Sequence, residues 1–230
     1  MLLDSGIERR APPPPAGVVS RVMTAVGQSV LPVIALVGAL VLAWSLRAEP
    51  ATDFRFLTEF DPSLDPADGN WLTWGVLLLP GVFFVLNLTS RRYGPSLAAG
   101  SVIVGWASIA GGIYWALSQG VIHSFADEVA PVPVAAAFFG SMLIGQFVNI
   151  CFFDWMRGVP WWHAPLLAAL MGGLVFAATF HTASGGTWNA AALPRLSVLG
   201  AIQLLWALVQ LIPTQLLRRA IRPHPGYGGA

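Results

Sequence analysis

The sequence predicts an all-α, polytopic membrane protein with six transmembrane helices and both termini in the cytoplasm. Three observations predict it: the composition, the way charges punctuate the apolar runs, and the placement of arginine. Of the 230 residues, 56% are apolar and only 10% are charged, against about 25% charged in a soluble domain. A hydrocarbon solvent explains that deficit, because it penalises charge and demands roughly 20 apolar residues per crossing helix. The runs are continuous rather than alternating, which favours helices over barrel strands.

Residues 1–22, with the run Pro12–Pro15, are expected to be a flexible cytoplasmic tail. No charge falls between Arg21 and Arg47, and VLPVIALVGALVLAWSL is the first crossing. It is longer than the ~7–15 residue core of a signal peptide, and no small-x-small cleavage site follows it. The second crossing is Trp71–Leu88, between Asp68 and Arg91. Ser96–Leu117 is the third, since Gly120, His123 and Ser124 resemble loop. Val132–Phe153, ahead of Asp154, is the fourth. Ala164–Thr182 is the fifth, and the loop SGGTWNAAALP separates it from the sixth, Leu196–Leu217, which stops before Arg218. Residues 23–219 thus form one six-helix domain, and 220–230 form a second cytoplasmic tail.

Orientation follows from arginine in the short flanks. Starting inside, the cytoplasmic segments carry Arg9, Arg10, Arg21, Arg91, Arg92, Arg157, Arg218, Arg219 and Arg222, nine against Arg47, Arg55 and Arg195 on the other face. The first outer loop holds Glu49, Asp53, Glu59, Asp61, Asp65 and Asp68. Tryptophan agrees: Trp44, Trp71, Trp74, Trp115 and Trp188 fall at outer ends and Trp155, Trp161 and Trp162 at inner ends, as interfacial belts do. These features predict a multi-pass membrane protein with both ends on the arginine-rich side.

The chain has no P-loop, dinucleotide fingerprint, CxxC or HExxH. Twelve arginines nearly balance eleven acids, and no basic patch suits nucleic acid. The single cysteine, Cys151, lies in an apolar run and is expected to be a small buried residue. His163 and His181 bracket the fifth helix about 27 Å apart, too far to share a metal or haem. No catalytic residue, metal or cofactor is therefore expected, and the chain is not expected to be an enzyme. Its expected partners are the lipid bilayer and a small-molecule solute. A homo-oligomer or a separate energising partner is compatible with the sequence.

Polar groups at membrane depth are costly and tend to be functional. The candidates are Asn87, Thr89, Gln146, Asn149, Thr179 and His181. Gln146 and Asn149 are three apart and share a helix face. Two readings stay open. The amides knit helices together, or Asn87, Gln146 and Asn149 jointly read the edge of a polar heterocycle. Trp106 and Trp206, near mid-helix, either line a cavity or face lipid.

Three stretches carry a family resemblance: NWLTWGVLLLPGVFFVLNLTSRRYGP (Asn70–Pro95), FFGSMLIGQFVNICFFDWMRGVPWWHAPLLAALMGG (Phe138–Gly173) and LLWALVQLIPTQLLRRAI (Leu204–Ile221). In order, they resemble the vitamin uptake transporter family, whose members are described as queuosine precursor transporters. The likeness covers most of residues 70–221. Where the family pattern carries aspartates, this chain has Asn87, Asn149 and Phe176, which removes charge and titratable protons. The resemblance implies an inner-membrane importer of a small, neutral heterocycle related to queuosine precursors, with a central polar cavity. Asn87, Gln146 and Asn149 would bind its edge, and Trp74, Phe176 and Trp106 would hold the ring. The alternatives are a substrate-capture subunit of a multi-component importer and a non-transporting structural or regulatory membrane subunit.

Overall fold

The computed structural model describes residues 17–51, 71–158 and 160–221, and every element of more than one turn in them is helical. Most of the two expected tails and most of the acidic outer loop lie outside the described residues. Helix α1 (Val18–Ser45) begins inside the stretch assigned to the N-terminal tail, runs through Pro32 unbroken, and is apolar over Val30–Ser45. Helices α2 (Trp74–Leu78) and α3 (Gly81–Tyr93) together make one 20-residue apolar span. Three further spans are α4 (Pro95–Ser118), α6 (Val132–Trp155) and α7 (His163–Ala183), with the single-turn α5 (Phe125–Glu128) between α4 and α6. A 3-10 turn (Ala190–Ala192) leads into α8 (Leu193–Val209) and α9 (Leu211–Leu217), which form the last span. Among the described residues five spans are thus long and apolar enough to cross a membrane, the architecture of a multi-pass membrane protein.

Two of the spans are broken where proline dictates. Pro80 has no N–H and its ring opposes the carbonyl four residues back, so α2 stops and α3 restarts through the three-residue-spaced bonds Val82 N to Leu79 O and Phe83 N to Pro80 O. Pro213 acts in the same way on Val209, and the helix dislocates at Gln210 between α8 and α9. The turn from α3 to α4 needs a single residue, Gly94, at φ 89°, followed by Pro95 in the first turn of α4. At the opposite end, the first amides of α2 meet carbonyls of the turn that follows α1: Trp74 N donates to Glu49 O at 2.9 Å and Gly75 N to Leu46 O at 3.0 Å.

Helix α3 is the hub, packing against α1, α4, α6 and α7. It buries Val82, Phe83, Leu86, Asn87 and Ser90 at helical spacing. The closest pairing is α6 on α7. Helix α7 presents the four-residue rows Ala164, Ala168, Gly172, Phe176 and Pro165, Ala169, Gly173, Ala177, all buried. Small residues let two backbones approach. A methyl group added to Gly145 would lie 2.7 Å from Gly172 O and 2.8 Å from the Phe176 Cβ, and one added to Gly172 would lie 2.8 Å from Gly145 O and from the Asn149 Cβ. Cys151 corrects the expectation of burial: the buried rows of α6 include Gln146, Asn149, Ile150 and Phe153, and Cys151 falls off them on the exposed side. In an apolar solvent an exposed thiol needs no burial to be tolerated.

The seam yields a test. Gly145→Ala or Gly172→Ala should lower thermal stability of the detergent-purified protein by about 1–3 kcal/mol, the usual cost of overpacking. Gly140→Ala and Gly111→Ala, where the added methyl meets nothing within 4 Å, should leave it unchanged or raised.

Candidate functional site

The arginine-bearing ends of the spans are tied together first. Arg157 pairs with Asp154, three residues before it, at 2.9 Å, and its Nη2 donates to Ser90 O at 3.0 Å, closing the end of α3. The guanidinium of Arg91 donates to Ile221 O at 3.2 Å, and that of Arg218 lies over the Trp161 ring. Asp154 and Arg157 thus hold the loop, as their spacing predicts.

About two turns deeper lies a carboxamide cluster. Asn87 is six residues from the end of α3 and Asn149 six from the end of α6, roughly 9 Å along each helix. Asn87 Nδ2 donates to Pro165 O at 3.0 Å and to Gln210 Oε1 at 3.2 Å. Gln210 Nε2 donates to the same Pro165 O at 2.8 Å. Asn149 Nδ2 donates to Asn87 Oδ1 at 3.1 Å. Four elements therefore meet: α3, α6, the first turn of α7, and the break between α8 and α9.

A peptide carbonyl can only accept, and this one orients every amide in the cluster. Asn87 and Gln210 must turn their NH2 groups toward Pro165 O. Asn87 Oδ1 is thereby an acceptor, Asn149 must give it a proton, and Asn149 Oδ1 is left over. That oxygen is fully buried and has no hydrogen-bond partner among the described residues. One turn earlier on α6, Gln146 is fixed by a different anchor. The Trp106 indole donates to Gln146 Oε1 at 2.9 Å, and an indole can only donate. Gln146 Nε2 is therefore the leftover, again buried and unpartnered among the described residues.

Aromatic rings flank Gln146. Trp106 meets Phe139 and Phe138 edge-on at 5.0 and 6.3 Å between centroids, Phe138 meets Phe176 edge-on at 5.8 Å, and Phe176 stacks on Phe180 at 5.9 Å. Phe83 and Met142 complete this apolar group. Of the sequence-predicted residues, Asn87 and Asn149 touch, Gln146 and Trp106 touch, and Phe176 joins the ring cluster around Trp106. Trp74 stands apart: it is more than one-third exposed and sits thirteen residues from Asn87, roughly 20 Å along the span. Trp206 is half-buried and its indole donates to Leu77 O, one of the carbonyls exposed by the break at Pro80. Thr89 and Thr179 bond back to their own helices, at Val85 O and Val175 O, and need no other partner.

Sequence reasoning missed Gln203 and Gln210. They are seven apart, hence on one face of the last span, and both are buried. Gln203 lies directly on Gly173, where only a glycine leaves room for its Oε1.

Among the described residues no three metal-binding side chains cluster. The fold and the site define a multi-pass helical membrane protein with a buried, uncharged, amide-rich interior. Comparison with protein-family models, with curated proteins and with solved structures finds no match to this chain.

The Pro165 anchor makes a prediction. Asn87→Ala and Gln210→Ala should each destabilise the protein by about 1–2 kcal/mol. The double variant should fall short of their sum by about 0.6–1.7 kcal/mol, the range for hydrogen bonds between membrane helices. Asn87→Asp should cost more than Asn87→Ala at pH 7, since a carboxylate would face two acceptors. Denaturant titration in mixed micelles checks all four.

Proposed function

We propose that this chain is an inner-membrane importer of a small, neutral heterocyclic solute, with six crossings and both termini in the cytoplasm. One observation carries the reading: α6 presents a buried amide donor and a buried amide acceptor, one turn apart, without partners among the described residues. Unsatisfied buried polar groups cost about 1–3 kcal/mol each, so a fold that keeps two adjacent ones has a use for them. The ring cluster of Trp106, Phe138 and Phe176, which Trp106 joins to Gln146, supplies apolar ring faces for an aromatic solute. The resemblance to the vitamin uptake transporter family points to queuosine precursors or related compounds as the class, and the amides at positions 87 and 149 favour an uncharged member. The sixth crossing in this reading is α1, a 28-residue helix that is apolar over Val30–Ser45.

A second reading, a non-transporting structural subunit, rests on Asn87 and Gln210. Both ends of each amide are bonded to protein groups and already knit four elements together. Uptake separates the two readings.

The expected result is saturable, ATP-independent uptake of a deazaguanine or purine by vesicles holding this chain alone. The same compound should stabilise the purified protein, by about 2.7 kcal/mol at a hundredfold excess over Kd. Asn149→Ala should abolish both effects. Reporter fusions at residue 230 and in the loop after α1 should report opposite sides. No stabilisation by any compound, or an unchanged response in Asn149→Ala, would sink the importer reading.

A further inference from the structure

The same two leftover atoms set a selectivity rule, which rests on the importer reading. We propose that Gln146 Nε2 and Asn149 Oδ1 form a polarised recognition pair that admits only a solute edge bearing a hydrogen-bond acceptor beside a donor. Such an edge is found in a lactam (C=O next to N–H) or its amino–imine counterpart.

An amide side chain ordinarily adapts by rotating half a turn, which exchanges its donor and acceptor ends. Neither of these can. Rotating Gln146 would aim its NH2 at the indole N–H of Trp106, donor against donor. Rotating Asn149 would aim its oxygen at Asn87 Oδ1, acceptor against acceptor. Asn87 in turn cannot yield, because Pro165 O and Gln210 Oε1 both require its NH2. The pair is therefore fixed as donor at Gln146 and acceptor at Asn149. Both side chains are fully buried on the same face of α6, so a mismatched solute group has no water to turn to.

The rule excludes three chemistries. A carboxylate offers two acceptors and opposes Asn149 Oδ1. An amidinium offers two donors and opposes Gln146 Nε2. A ring N-methylated at the lactam keeps its acceptors but leaves Asn149 Oδ1 unsatisfied. It also sets the bound orientation: carbonyl toward Gln146, N–H toward Asn149 and the arginine-bearing end.

The test uses the full chain in detergent micelles with four defined probes: uracil, 1,3-dimethyluracil, benzoate and benzamidine. Binding is read by thermal stabilisation, and uptake by competition in vesicles with whichever purine or deazaguanine is transported. Uracil should bind, and each of the other three should bind at least about tenfold more weakly, the loss expected for one mismatched buried hydrogen bond. Gln146→Glu keeps an acceptor for Trp106 and makes the pair acceptor–acceptor, so it should reverse the preference between uracil and benzamidine. Equal binding of uracil and 1,3-dimethyluracil by the wild type would overturn the pairing while leaving the importer reading intact, and that comparison does not depend on the variant folding. If no probe binds and no purine or deazaguanine is taken up, both fail together.

Discussion

A peptide carbonyl in hydrocarbon has no water to accept from, and the interior of this protein is arranged around that constraint. Each proline that breaks a span exposes carbonyls that a continuous helix would have satisfied. At Pro80 the exposed Leu77 O receives the indole of Trp206 from the other broken span. That ring packs beside Gly81, just past the break, with edge atoms 3.6 and 3.8 Å from where a methyl group would sit, an ordinary contact distance. The α8–α9 break puts Gln210 inside, where it shares Pro165 O with Asn87 of the first broken span. The second broken span thus supplies a donor to a carbonyl freed in the first, and Asn87 and Gln210, one from each span, meet at Pro165 O.

From that arrangement follows the polarity of the amides. The chain of bonds from Pro165 O through Asn87 to Asn149 has one direction, because its first member accepts and can do nothing else. An aspartate at position 87 in the same surroundings would have to be protonated to donate at all, and then could donate only once. Aspartate and asparagine are therefore not exchangeable at this position within the observed geometry. The amide at position 87 is part of a matched set with Gln210 rather than a carboxylate that has lost its charge.

How much of this was legible in the sequence divides along physical lines. The apolar spans could be read because charge is excluded from hydrocarbon wherever it occurs, so Asp68, Arg91, Asp154 and Arg218 mark boundaries without any knowledge of packing. Helix α3 nonetheless runs on past Leu88 to Tyr93, since Arg91 and Arg92 are long enough to reach the interface from a helical backbone. Of the site, the Gln146–Asn149 face was legible because three-residue spacing on a helix is local geometry. The contacts of Asn87 with Asn149 and of Trp106 with Gln146 join residues 62 and 40 apart, and no local rule yields them. Gln210 had a visible signal, its seven-residue spacing from Gln203, but its role depends on a break whose cause, Pro213, lies three residues further on. Cys151 was misjudged because an apolar run in a membrane does not distinguish the core face from the lipid face.

The α6–α7 seam joins the architecture to the site. Gly145 and Gly172 bring the two backbones close enough that the Asn149 Cβ lies against Gly172, and the neighbouring Gln146 and Asn149 are thereby held on rigid backbone rather than on a loop. Long side chains lose rotamer freedom when ordered, at a cost that grows with their length. Of the two amides Gln146 carries the larger such cost, and anchoring the pair to the Trp106 indole and, through Asn87, to a peptide carbonyl removes the remaining freedom to flip. A donor and an acceptor can then stay unpaired at depth without turning to pair with each other. In the proposed importer, that persistence would let an uncharged interior discriminate between solutes. Carboxylates would attract a cation more strongly, but an ionised oxygen pair carries no preferred order of donor and acceptor, and order is what these two amides retain.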